Sequence, residues 1–228
     1  MEQSVIKTRF IETIAVKDGE MIADPELHIT RMEYTCRDYG MKAPSERVFM
    51  SALKKELKRA PEGLCKCTVI YTDKIEEVHI CPYLPRKVSA LIPVRVEWNP
   101  YPAKLEDRSE LEEAENAIRS RESHAFLYGD ADAPVEEWFP LFILNDQITD
   151  TSFSSVVVET KRGKLLSPLS PLMMSTRRLQ LIYSQQVELV EISLKDIIQA
   201  RRIHLVNAML PLGACVVEAT NSILPKKV

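Results

Sequence analysis

Asp146-Gln147-Ile148-Thr149-Asp150-Thr151-Ser152-Phe153-Ser154-Ser155-Val156-Val157-Val158 runs into the turn sequence Lys161-Arg162-Gly163-Lys164, a second apolar pair, Ser167-Pro168 and then Ser175-Thr176-Arg177-Arg178. The three valines are β-branched and apolar, which suits a buried strand. Gly163 supplies the positive φ that a tight turn asks for, so the stretch predicts a hairpin. Leu179, Leu181 and Ile182 follow Ser175-Thr176 with helical spacing. A hydroxyl pair at a helix start is a plain N-cap on one reading. On the other it is an anion site, because the first-turn N–H groups and the positive end of the helix dipole point outward there. An acid, Asp150, thus precedes the hairpin, and a candidate anion cradle follows it.

Composition sets the limits around that stretch. The 228 residues suffice for one large domain or two small ones, each with a core. A net charge of −3 with mixed signs gives no electrostatic reason to expect nucleic acid or a membrane surface. No apolar run approaches a signal peptide or a membrane span, so a soluble cytoplasmic protein is the expectation. Five cysteines at scattered positions read as free core thiols, and Cys65 and Cys67 fall on one side of a strand-like run. The four histidines form no ligand set, and no metal is expected.

Upstream, residues 9–16 are strand-like and Lys17-Asp18-Gly19-Glu20 is a hairpin turn. Asp24-Pro25-Glu26 opens a helix that ends near Gly40, and within it His28 and Arg31 lie one turn apart on one face. That face is either solvated or presents an arginine to a phosphate. A second amphipathic helix spans 45–59, whose lysines Lys54, Lys55 and Lys58 read as a solvated face. Strands over 65–71 and 75–83 form another hairpin, and 88–98 a further strand. Asn99-Pro100-Tyr101-Pro102 breaks the pattern and is the linker candidate. A charged helix from Leu105 or Asp107 to Arg121, strands at 124–128 and 138–144, a short helix at 195–200 and a last strand at 215–217 complete the chain. The class is α+β.

Taken in order, several motifs resemble the fold-type IV (class IV aminotransferase) family of pyridoxal-phosphate enzymes, which includes branched-chain and D-amino acid aminotransferases and aminodeoxychorismate lyase. Glu12-Thr13-Ile14-Ala15-Val16-Lys17-Asp18-Gly19 is similar to its opening hairpin, and His28-Ile29-Thr30-Arg31 to its H-x-x-R helix. Lys104-Leu105-Glu106-Asp107-Arg108-Ser109 resembles the K-x-x-D-R-S of short bacterial members. Ile148 to Val156, Ser167-Pro168 and Ser175-Thr176-Arg177-Arg178 resemble its acid, strand, T-P and G-T-x-R series. Asn207-Ala208-Met209-Leu210 resembles the loop that closes over the phosphate. The sequence departs from the pattern in four places. The chain starts almost at the first hairpin, where most members carry a further segment. Asp150 stands where Glu is usual, Ser155 where Asn is common, and Ser175 where Gly is common and φ > 0 comes cheaply.

The resemblance implies a small N-terminal α+β domain over 1–99 and a larger domain over 103–228 with a barrel-like sheet, as in D-amino acid aminotransferase, with the cofactor in the cleft they form. It implies pyridoxal 5'-phosphate as cofactor, with Lys104 as the catalytic Schiff-base lysine. Such a lysine needs a lowered pKa, since only the neutral amine attacks an aldehyde. Asp150 would pair with the pyridine nitrogen, and Arg31, Ser175, Thr176, Asn207 and Ala208 would hold the phosphate. Arg95, Arg86 and Tyr83 are candidates for a substrate carboxylate or for structural roles. The implied activity is transfer of an amino group from an amino acid to a 2-oxo acid by a homodimer. Pyruvate elimination from aminodeoxychorismate is the alternative, and a lapsed family member serving as a binding protein is another.

Overall fold

A computed structural model describes residues 8–23, 25–119 and 126–219. The expected cap at Asp24 and the start of the 124–128 strand lie outside those residues. The chain divides into two compact units. One comprises the described residues up to Leu84 together with Ala103–Arg108; the other comprises Pro85–Pro102 and the described residues from Ser109 onward.

The N-terminal unit is a four-stranded sheet, ordered β2-β1-β3-β4, with two helices. β1 (Phe10–Lys17) turns into the short β2 (Glu20–Met21) through Asp18 and Gly19, at φ 51° and 82°. Positive φ at both central residues matches the right-handed twist of the flanking strands, as Asp-Gly predicts. α1 (Glu26–Asp38) and α2 (Glu46–Leu57) follow, then β3 (Leu64–Tyr71) and β4 (Ile75–Pro82). Alternation along β1 sends Phe10, Glu12, Ile14 and Val16 inward. Met32 and Cys36 of α1, Phe49 and Leu53 of α2, and Cys65, Cys67 and Val69 of β3 complete that core. All five cysteines are free thiols. Each fully buried Leu or Phe contributes about 1.5–3 kcal/mol here. One core-facing position, Glu12, is charged.

Residues 103–108 do not begin a helix. Leu105 bridges Phe10, the Ile11 N–H donates to the Lys104 carbonyl at 2.9 Å, and the Glu106 N–H donates to the Arg9 carbonyl at 3.0 Å. Backbone groups committed to β1 cannot also make helical bonds, so α3 starts only at Ser109 and runs Ser109–Ala117.

The C-terminal unit holds a nine-stranded mixed sheet. β5 (Ala90–Val96) lies parallel to β7 (Trp138–Leu144) and antiparallel to the short β6 (Tyr128–Gly129). The 88–98 strand, expected with the first hundred residues, therefore belongs to this sheet. Ala90, Leu91 and Ile92 are buried on both faces, which suits a parallel strand covered on both sides. A 3-10 turn at Val135–Glu137 leads into β7. β8 (Gln147–Thr151), β9 (Ser155–Glu159) and β10 (Leu165–Pro168) then continue antiparallel. Next come α4 (Thr176–Tyr183), β11 (Glu188–Val190), which is parallel to β10, and α5 (Leu194–Gln199). β12 (Arg202–Val206) pairs with β9 and with β13 (Val216–Glu218).

β9 is central. Val156 and Val158 face the main core with Leu141, Ile203 and Leu205, while Val157 packs on the other face against Leu181 and Val206. The sheet curls, and β6 comes up against β13. A Cβ on Gly129 (φ 119°) would meet Val217 Cγ1 at 2.8 Å and the Ser89 carbonyl oxygen at 2.3 Å. Only glycine fits that seam. No helix among the described residues is long and apolar enough to cross a membrane.

Candidate active site

The N-terminal unit concentrates its buried charge in one place. Glu12, fully buried on β1, faces His28 and Arg31 on α1. Arg31 Nε donates to Glu12 Oε1 at 2.8 Å, Arg31 Nη2 donates to Oε2, and His28 Nδ1 lies 2.7 Å from Oε2. The one-turn spacing of His28 and Arg31 makes this possible, since both project from the same face of α1. Burial alone would raise the Glu12 pKa, but the Arg31 charge and the hydrogen bonds from Arg31 and His28 outweigh it and hold the carboxyl at about 2. A charged carboxylate survives there only because it is matched this fully.

Lys104 is half-buried, and it is anchored to β1 through its own carbonyl and through Glu106 two residues on. Burial pushes its amine down to about 7, and the Arg31 charge adds to that, while Glu12 pulls the other way; Arg108 and Lys66 contribute further positive charge. Lys104 and Arg31 are thus brought together. At neutral pH about half of such an amine is unprotonated, which is the state that attacks a carbonyl.

In the C-terminal unit, Asp150 is buried on β8. Its Oδ2 accepts the Leu172 N–H at 2.6 Å, whereas Oδ1 is buried with no hydrogen-bond donor aligned to it. Burial raises the carboxyl to about 6, against the opposing pull of the Ser155 hydroxyl, the Leu172 N–H and the Arg178 charge. A buried acceptor without a donor costs about 1–3 kcal/mol, more when charged. Such an oxygen can take a further N–H or O–H donor.

Ser175 caps α4, its Oγ accepting the Arg178 N–H at 3.4 Å, so the plain cap is realised. Its φ of −98° is ordinary for serine, and replacing the expected glycine costs no strain. Thr176 is buried beside it. Arg177 Nε and Nη2 donate to the carbonyls of Asn207 and Ala208 at 3.4 and 3.3 Å, which ties the start of α4 to that loop. The Asn207 side chain shapes the loop: Nδ2 donates to the Phe153 carbonyl, and Oδ1 accepts from the Met209 and Leu210 N–H groups at 2.8 and 3.0 Å. Ser175, Thr176, Asn207 and Ala208 are therefore brought together.

Of the carboxylate candidates, Arg95 pairs with Asp146 in solvent. Arg86 pairs with Glu115 at 3.2 Å and lies over the Phe139 and Phe153 rings. Two residues went unassigned in the sequence. Glu12 was visible as a lone acid on the inward side of an alternating strand. Arg178, buried, donates through Nε to Ser167 Oγ at 2.9 Å and through Nη2 to the Pro168 carbonyl, and it stands as positive charge near Asp150. It carried no signal beyond its place in the motif.

No family model matches the chain, and no curated protein sequence matches it. Solved structures do. A Haemophilus somnus protein provisionally described as a 4-amino-4-deoxychorismate lyase is 24% identical, with 93% of this chain and 100% of that chain covered at a TM-score of 0.72. A hypothetical aminotransferase from Mycobacterium tuberculosis, solved with α-ketoglutarate and PMP bound, is 16% identical over 98% of this chain and 85% of its own, at 0.73. The fold IV transaminase CpuTA1 from Curtobacterium pusillum is 16% identical over 92% and 78%, at 0.70. The chain has the fold IV transaminase fold.

Proposed function

We propose that this protein is a pyridoxal-phosphate enzyme that transfers the amino group of an amino acid to a 2-oxo acid. The observation that carries the reading is Lys104, fixed against β1 beside the buried Arg31, with its amine pushed by burial down to about 7. The residues fit the cofactor. Asp150 Oδ1 is a buried acceptor that lacks a donor, and a protonated pyridine nitrogen is an N–H that completes it. The capped α4 start and the Asn207-Ala208 loop are chemistry for a phosphate. Bound pyridoxal phosphate supplies an aldehyde to which an amine adds, and a protonated ring that accepts the electrons left when a substrate loses its α proton.

In this reading Lys104 holds the cofactor aldehyde and then moves the proton at the substrate Cα. Asp150, ionised above its pKa of about 6, keeps a proton on the ring nitrogen. Arg31, Ser175, Thr176, Asn207 and Ala208 hold the phosphate. The chain works as a homodimer. A second reaction, elimination of pyruvate from aminodeoxychorismate, begins with the same proton transfer. The Haemophilus somnus match, covered over its whole length, favours keeping it in the test.

The experiment is the absorbance of wild type and Lys104→Ala with pyridoxal phosphate, before and after borohydride. The expected result is a visible band fixed covalently in wild type only. Assays with amino acids plus 2-oxo acids, and with aminodeoxychorismate, then choose the reaction. No band in either protein, with the fold intact, would overturn the reading and leave a binding protein.

A further inference from the structure

Glu12 has no role in the chemistry above, yet it is the most thoroughly satisfied charge in the N-terminal unit. Its carboxylate is fully buried in an apolar face, receives two bonds from one guanidinium and meets the His28 ring. A guanidinium held through both Nε and Nη2 has its plane fixed by that fork. A carboxylate inserted among Phe10, Ile14 and Val16 is costly unless it is matched, so a core needing only packing has no use for it.

We propose that Glu12 is the positioning residue of this half of the site: it clamps Arg31 in one orientation and fixes the net charge presented to Lys104. The inference rests on the pyridoxal-phosphate reading and deepens it. The charged groups acting most strongly on Lys104 are Arg31 on α1, Glu12 on β1, Lys66 on β3 and Arg108 on its own segment. Those facing Glu12 are Arg31, His28 and Lys104, and the Tyr71 phenol feels its charge. Glu12 is the one negative charge in the set acting on Lys104. Without it the positive charges of Arg31, Lys66 and Arg108 bear more strongly on the amine, and Arg31 loses the carboxylate fork that fixes its plane.

Glu12→Gln keeps the shape and removes the charge. The measurement is reductive methylation of the cofactor-free protein with formaldehyde and cyanoborohydride across pH, with Lys104 followed by peptide mass. The midpoint of Lys104 reactivity is expected to fall by about one pH unit, since loss of a nearby negative charge disfavours the ammonium form. Pyridoxal-phosphate affinity should fall about 10-fold or more as Arg31 loses a charged acceptor. The double variant Glu12→Gln with Arg31→Gln removes both charges, and its midpoint should return to the wild-type value or slightly above. An unmoved midpoint in the single variant contradicts the proposal. If the single variant does not melt cooperatively, the double variant decides: a midpoint below wild type, or one as high as an exposed lysine, contradicts it. Methylation needs no cofactor. A wild type that takes no pyridoxal phosphate while Glu12→Gln still shifts Lys104 therefore sinks only the functional reading. Normal cofactor capture with an unmoved Lys104 sinks only this inference.

Discussion

Glu12 and Asp150 are both buried carboxylates, one in each unit, yet their acidities are driven in opposite directions. Glu12 is held at about 2 and Asp150 is raised to about 6. Burial pushes both upward. What differs is the supply of donors: a charged guanidinium twice and the His28 ring for Glu12, against neutral donors only for Asp150, the Leu172 and Met173 N–H groups and the Ser155 hydroxyl, none of them aligned to Oδ1. The first carboxylate is completed by its own chain, through Arg31 and His28. The second is left incomplete, the condition of a residue whose partner arrives with a ligand.

Breaking the completed side should have the largest effect. Glu12→Ala removes the buried carboxylate that pairs with Arg31, and a loss of about 3–5 kcal/mol is expected in urea unfolding at pH 7. The sign with pH follows from the depressed pKa. The stability Glu12 lends is present above the ordinary carboxylate value and is lost as pH falls towards 2. Wild type and variant should therefore converge in acid.

Neutralising the incomplete side should have the reverse sign. A raised carboxyl favours its neutral form in the fold, so its ionisation costs nothing below the ordinary aspartate value and the full amount above about 6. Asp150→Asn is expected to stabilise the cofactor-free protein by up to about 3 kcal/mol at pH 8, with the gain vanishing below about pH 4. Thermal melts across pH check this. The same variant should weaken pyridoxal-phosphate binding, so stability and binding move apart. Ser175→Ala sharpens the comparison at the smaller end. Losing the α4 cap should cost about 1 kcal/mol, and Ser175→Gly only a few tenths, read by chemical denaturation.

Local chemistry in the sequence foretold the local structure. Asp18-Gly19 takes up the two positive φ angles that its type predicts, Gly163 turns at φ 79°, and Val156–Val158 is buried on both faces. Lys104 and Asp150 were singled out as residues, and so was the need for a lowered amine pKa. What depended on distant partners was hidden. The strand at 88–98 gives no sign that it will lie parallel to 138–144, because its partners follow it in the chain. Leu105 reads as a helix start until Phe10 engages it. Asp150 and Glu12 look alike in the sequence. Only the charge and alignment of the donors around each, set by Arg31 and His28 of α1 for one and by neutral groups near Leu172 for the other, separate the two.

The most direct test is a 13C titration of the Asp150 carboxyl in labelled protein, without and with pyridoxal phosphate. The account predicts a midpoint near 6 in the free protein and a carboxylate that stays ionised to well below pH 4 once the ring nitrogen is in place. A midpoint already in the ordinary aspartate range without cofactor, or one that the cofactor leaves unmoved, would contradict the claim that Asp150 awaits an N–H donor.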